Sequence, residues 1–359
     1  MHEIKFECEV ITPMFLAGAD GKTPELRAPS IKGVMRFWWR AMNGHLSIED
    51  LRKKEAEIFG GSGENEGRSK VIIQNENPKI SEENISISLW NEIDYEERTA
   101  RRYKIPRNNQ GIAYLFYSVL MLNERPYIKA GSKFFLKIKC WEEKTFKNVI
   151  ALFKIVSLFG GLGSRSRRGA GSFIVKKGLD KNFYGANIDT AEKLEEYIKE
   201  KIKPLIFSSS KSNHPYSVLT EAKVYIFEPK NSWIDALESI GKPFKDFRSN
   251  NKKRVTKTPN FGFPILHNRG RTLFGAGIKN DRNGTIKDFL NRRSSPLIFK
   301  VVKVQEDCFI PLILWMNGEL IPSNYKIMDK RGNNTDNPDT GIIKEFINSL
   351  TSKKIEVNL

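Results

Sequence analysis

The chain is poor in the residues that build cross-linked or metal-bound scaffolds. Its three cysteines, Cys8, Cys140 and Cys308, lie far apart in 359 residues and form no CxxC pair. That excludes a disulfide framework and a cysteine zinc site. Histidine is scarce too, with four in the chain. No HExxH, HD or DxD pattern gathers ligands, so no metal and no cofactor are expected. No run of about 18 apolar residues occurs, which excludes a membrane-spanning helix. The opening Met1-His2-Glu3-Ile4-Lys5-Phe6-Glu7 alternates charged and apolar side chains, unlike a signal peptide. The expectation is a soluble, cytoplasmic protein with no membrane partner. Acid is also in short supply: 42 Asp and Glu stand against 60 Lys and Arg, a formal net charge of +18. Such an excess favours a polyanionic partner. Hydrophobic residues make up 39% of the chain, enough for packed cores, and excluding a disordered chain. The length suggests two domains.

What is present is strand alternation followed by helical periodicity. Ile4, Phe6, Cys8 and Val10 alternate with charged residues, the mark of a half-buried strand that Thr12-Pro13 ends. A Gly- and Pro-rich loop follows, from Met14 to Pro29. Ser30 then predicts an N-cap for a helix over 31–43, with Ile31, Val34, Met35, Trp38 and Met42 as its apolar stripe. Lys32, Arg36 and Arg40 recur at i, i+4 and i+8, stacking three cations on another face. A second helix stops at Gly60-Gly61-Ser62-Gly63. Residues 71–74, 85–90 and 133–140 read as strands. Residues 145–159 have helical spacing, closed by Gly160-Gly161, and 172–175 is again a strand. With 75–131 as decoration, the order β-α-β-β-α-β is that of a ferredoxin-like, or RNA-recognition-like, unit.

A helix over about 190–202 and the Ser-rich run 208–213 mark a boundary. The second half holds a strand at 222–227, a short helix from Trp233 to Ile240 and a basic run at 242–257. A strand pair at 296–304 and 308–314 follows, then a closing helix from Ile342 to Leu350. The expected fold class is α+β. The expected domains are 1–178, a linker or insertion over 179–220, and a more divergent 221–359.

The segment 160–171 carries the most chemistry. Gly160, Gly161, Gly163, Gly169 and Gly171 let backbone N–H groups approach a bulky anion. Arg165, Arg167 and Arg168 supply forked donors that match phosphate. The segment is neither a Walker A loop nor a dinucleotide fingerprint, because its helix precedes the glycines and no Gly-Lys-Ser/Thr follows. The alternative is a surface loop whose arginines are merely solvated. The start of the first helix, with free N–H groups and Lys32, is a second phosphate site. Trp38 is expected in the core. Trp39 is expected there too, with base stacking as its alternative.

Two blocks, "TPMFLAGADGKTPELRAPSIKGVMRFWWRAM" (12–42) and "FGGLGSRSRRGAGSF" (159–173), resemble the RAMP superfamily of CRISPR-associated proteins. Within it they are similar to the family of the first-numbered subunit of the type III-B (Cmr) effector. "GFPI" (262–265) and "RRSSPLIFKVV" (292–302) extend the likeness into the second half. The resemblance implies two ferredoxin-like domains with insertions. It also implies a non-catalytic subunit assembled with other Cmr subunits on CRISPR RNA, holding guide or target RNA near the 3′ end of the guide. Some relatives are metal-independent endoribonucleases that use a histidine, which makes His45 the weak catalytic candidate; a surface histidine beyond a helix end is the plainer reading. Asp20, in the first loop, is a fainter one. The expected phosphate contacts are Lys32, Arg36 and Arg40 meeting Arg165, Arg167 and Arg168 across one groove. Arg101 and Arg102 interleave with Tyr103, a mix that suits single-stranded RNA. Arg269, Arg271, Arg292 and Arg293 complete the candidate set.

Overall fold

Phe6, Cys8 and Val10 point inward from β1 (His2–Val10), while Glu3 and Lys5 face water, as the alternation requires. The computed structural model describes residues 1–64, 66–76, 80–98, 103–121, 124–178, 188–206, 214–254, 256–263, 265–267, 271–279, 286–290, 292–329, 331–332 and 336–359. Strand β1 pairs antiparallel with β3 (Lys133–Cys140) in the register His2–Cys140 to Glu9–Lys133. On the outside of β3 lies β2 (Val71–Asn75), and on the other side of β1 lies β4 (Phe173–Lys177). The sheet order is therefore β2-β3-β1-β4.

The second half repeats this order. Its strands are β5 (Val218–Phe227), β6 (Leu297–Gln305), β7 (Cys308–Asn317) and β8 (Lys354–Asn358), arranged β6-β7-β5-β8, all antiparallel. The helices fall at matching places. α1 (Ala28–Met42) and α2 (Ile48–Phe59) lie between β1 and β2, and α3 (Glu143–Phe159) between β3 and β4. α4 (Trp233–Asn250) lies between β5 and β6, and α5 (Gly341–Ser349) between β7 and β8. A third, smaller sheet collects Ile265–His267, Arg271–Lys279, Ile286–Leu290 and Lys326–Asp329.

These elements stack in four layers. One core joins Phe6 and Leu136 of the first sheet, Met35 and Trp38 of α1, Phe153 of α3, and Val224, Ile298 and Leu312 of the second sheet. The opposite face of the second sheet, with Tyr225, Phe299 and Ile313, packs under Phe244 of α4 and Phe346 of α5. The second sheet is thus covered on both faces. That is why β6 is buried along its length, Lys300 and Lys303 included, with only its last residue exposed.

Several expectations shift. The first helix begins at Ala28 and carries Pro29 in its first turn; Arg27 holds the cap position and Ser30 does not cap. Proline's fixed φ suits the first turn, so the helix starts earlier than the serine suggested. The strand expected at 85–90 is only Ile85–Ser86, because the Ser88 hydroxyl accepts from the Trp90 N–H and opens a turn. α4 runs to Asn250 rather than ending near Ile240. Gly241 is not a stop: Gly111 of the helix Gln110–Leu115 packs against it so closely that a Cβ on either would strike the other element. Glu238 caps that helix, accepting from the Gly111 and Ile112 N–H groups at 3.0 and 2.9 Å. In 179–220, the helix Ala191–Tyr197 buries Ala191 and Leu194 in the main core. The Ser-rich run 208–213 lies outside the described residues. No helix among the described residues is long and apolar enough to cross a membrane.

Candidate nucleic-acid interface

The open face of the first sheet is where an RNA-recognition platform would show exposed aromatics. It carries paired charges instead. Glu7 accepts from Lys133 and Lys177 at 3.1 and 2.9 Å, and Glu3 from Lys139 at 3.1 Å. Hydrogen bonds from Lys177 and Lys133 hold the Glu7 carboxyl below the usual carboxylate range. This face is a lattice of both signs, not a cationic strip.

The cationic row of α1 is spent as well. Arg36 Nε donates to Glu55 Oε1 at 2.5 Å, and Arg40 Nη1 donates to both Glu55 oxygens at 2.7 and 2.8 Å. Arg36 also donates to the Gly60 carbonyl at 3.2 Å. Glu55 is buried on α2, in line with Leu51 and Phe59. Arg36 and Arg40 therefore face α2, not the glycine loop, which corrects the expectation that the whole row closes a groove with the loop arginines. Both arginines remain more than a third exposed, so the pair contributes about 1 kcal/mol. Arg40→Ala should lower unfolding free energy by that amount in urea melts while leaving RNA affinity unchanged. Lys32 is half-buried; burial, then Arg36, lowers its pKa.

The glycine loop is a fastened segment between the two sheets. Gly171 N donates to Pro13 O, and Thr12 Oγ1 to Gly169 O at 2.6 Å. Phe299 N of β6 donates to Arg167 O at 3.0 Å, which stitches the loop onto the edge of the second sheet. Each arginine has an internal acceptor. Arg165, with φ 62, donates from Nε to Leu115 O at 2.7 Å. Arg168 donates to Phe261 O at 3.2 Å and lies 5.0 and 5.5 Å from the Phe244 and Phe299 ring centroids. Burial, then Arg165, lowers its pKa to about 9, so it stays charged at neutral pH. Neither the reading of three free phosphate forks nor that of a solvated loop describes this arrangement.

Arg167 differs. Its guanidinium lies 4.7 Å from the Phe37 ring centroid, and Nη1 donates to Ser295 O at 2.8 Å. Nε and Nη2 have no protein partner among the described residues. Burial, then Arg293, lowers its pKa to about 10. It lines a cleft of about 380 Å³. One wall is the first turns of α1, with Ser30, Gly33 and Phe37; the other is Gly160, Gly161 and Ser166; Ser294 and Ile298 close it from the second sheet. A Cβ on Gly33 would meet no atom within 4 Å, so packing does not demand glycine there. Beneath the loop, the buried Lys300 donates to Gly160 O at 2.6 Å, and burial lowers its pKa to about 7.

The remaining candidates scatter. Trp38 and Trp39 are both buried, which leaves Trp39 no open face for a base. Arg292 is exposed two residues before Ser294 of the cleft lining, and Arg293 donates to Glu319 O at 2.5 Å. Arg101, Arg102 and Arg269 lie outside the described residues, and of Arg271 only the backbone, in strand Arg271–Lys279, is described. His45 is half-buried past the end of α1 and does not line the cleft. Asp20 spends its oxygens on Thr23 and on the Lys22 and Thr23 N–H groups, and the Thr23 bond leads in lowering its pKa to about 2. Phe37 as the platform for Arg167, and Lys300, are residues that sequence reasoning missed. A lysine inside the apolar run of β6 was the readable signal.

The cleft contains the two sequence blocks that stand out, and comparison places them. A family model described as the RAMP superfamily matches residues 7–174. The CRISPR system Cmr subunit Cmr1-2 of Pyrococcus furiosus is 32% identical over 201 residues, which is 49% of this chain and 96% of that protein. Subunit Cmr1-1 of the same organism is 26% identical over 321 residues, 84% of this chain and 83% of its own length. The chain belongs to the Cmr1 family of RAMP proteins. The crystal structure of apo Cmr1 from Pyrococcus furiosus matches its fold with a TM-score of 0.61 at 20% identity, covering 100% of this chain and 98% of that one. A chain in the type III-B Cmr-beta structure bound to cognate target RNA matches with a TM-score of 0.58 at 14% identity, covering 97% and 98%.

Proposed function

We propose that this chain is a non-catalytic, RNA-binding subunit of a type III-B CRISPR effector. It holds CRISPR RNA, target RNA or both near the 3′ end of the guide, beside other Cmr subunits. In this reading the two sheets, with their shared order, are two ferredoxin-like domains, 1–178 and 221–359, joined through 179–220. The RNA backbone runs in the cleft at their junction. The observation that carries this is Arg167: a guanidinium over the Phe37 ring, held by one donor to Ser295 O, with further N–H groups unspent, in a cleft where the space beside Gly33 is open. Lys32 and Arg292 add charge near the mouth, while Arg165 and Arg168 hold the loop. Phosphate contacts position a strand without reading it, which suits a complex whose guide carries the sequence. Among the described residues, the cleft lining includes neither His45 nor a carboxylate to act as general acid or base, so the cleft lends no support to cleavage by His45.

Titration with single-stranded RNA over a salt series tests this. Affinity should fall steeply with salt, and Arg167→Gln should flatten the slope by about 0.7. An unchanged slope in a folded variant would count against the cleft.

A further inference from the structure

A second groove, of about 250 Å³, opens where β7 and β5 meet the start of α5 and shares Ser294 with the cleft. Half-buried Trp315 and exposed Lys344 line it. Arg293 is held there by Glu319 O, yet its Nε is buried without a protein partner among the described residues. The facing strand β5 is bulged: Glu221 has φ 59, in the left-handed region that side chains rarely adopt, and its carboxylate accepts from Asn317 Nδ2 at 3.3 Å. Bulges of this kind re-aim a side chain, and they cluster near functional sites.

We propose that this groove receives one unstacked nucleotide of single-stranded RNA. The base lies on Trp315, and Lys344 and Arg293 take the flanking phosphate. Glu221 and Asn317 face the base edge. A carboxylate there accepts from an exocyclic amine, so adenine or cytosine fits better than uracil. The volume suits a nucleoside, not a length of peptide. This rests on the RNA-binding reading of the cleft: a strand crossing the cleft reaches the groove past Ser294.

Anisotropy titrations of the full chain with short A-rich and U-rich RNAs test it, with folding checked by thermal melts. Trp315→Leu should weaken A-rich binding about tenfold, with the salt slope unchanged, because stacking is lost and no phosphate contact is. Trp315→Phe should restore most of the affinity, and Glu221→Gln should narrow the preference for A over U. Lys344→Ala, at an exposed position, should lower the salt slope by about 0.7. If Trp315→Leu and Lys344→Ala bind like the unchanged protein while Arg167→Gln does not, the groove proposal fails and the cleft reading stands. If all three bind unchanged, both fail. Equal losses in Trp315→Leu and Trp315→Phe would overturn the stacking role.

Discussion

Lys300→Met should make the protein more stable at pH 6 and less stable near pH 10.5, so that the two stability curves cross. Lys300 sits within β6, buried from both faces, and its amine donates to Gly160 O at the end of α3. Its pKa falls from the ordinary 10.5 to about 7 because burial penalises the charged form. Between those values the unfolded chain holds a proton that the folded chain has released. Stability therefore rises as pH climbs from 7 to 10.5, and the whole cost is present below 7. The interval corresponds to about 5 kcal/mol. Methionine removes that cost but leaves the Gly160 carbonyl without its donor, a loss of roughly 1–3 kcal/mol. The expected net gain at pH 6 is about 3 kcal/mol, turning into a loss of about 2 kcal/mol once the lysine is neutral in both states. Urea unfolding across this pH range reads both. Parallel curves for the two proteins would show that Lys300 keeps its proton in the fold.

Gly171→Ala should be the most damaging single-methyl change in the glycine loop. Gly171 has φ +62, and an added Cβ would collide with the Leu162 carbonyl oxygen. The Gly171 carbonyl accepts from Leu162 N at 3.0 Å while its own N–H donates to Pro13 O, so it cannot move aside. Left-handed strain and the backbone collision together are expected to cost roughly 3 kcal/mol. Because the loop is stitched to β6, the loss should appear as earlier unfolding of both halves in one transition. A melt within a degree of the unchanged protein would refute the claim that this loop fastens the sheets together.

The strands and helices were largely legible, because strand alternation and helical spacing are local properties. The partners were not. Arg165, Arg167 and Arg168 donate to carbonyls that lie 50, 128 and 93 residues away. A backbone carbonyl has no sequence signature, so three clustered arginines read as free. The row Lys32, Arg36 and Arg40 was correct as spacing. Its acceptor was visible too, since Glu55 interrupts the apolar line Leu51, Glu55, Phe59 of the next helix, and a carboxylate in a buried stripe needs a cation. α4 was cut short at Ile240, just before Gly241; the close crossing of the helix Gln110–Leu115 explains that glycine. The matching order of the two sheets is a long-range property that no local pattern encodes.

The central claim is that a phosphate backbone lies against the first turns of α1, and Gly33→Leu tests it most directly. Glycine costs a helix interior about 1 kcal/mol, and the space beside Gly33 is open. The variant should therefore melt at the same temperature or higher, while its affinity for single-stranded RNA falls at least about tenfold as the side chain fills the cleft. RNA binding equal to that of the unchanged protein, in a variant that melts no lower, would place the strand elsewhere on the molecule.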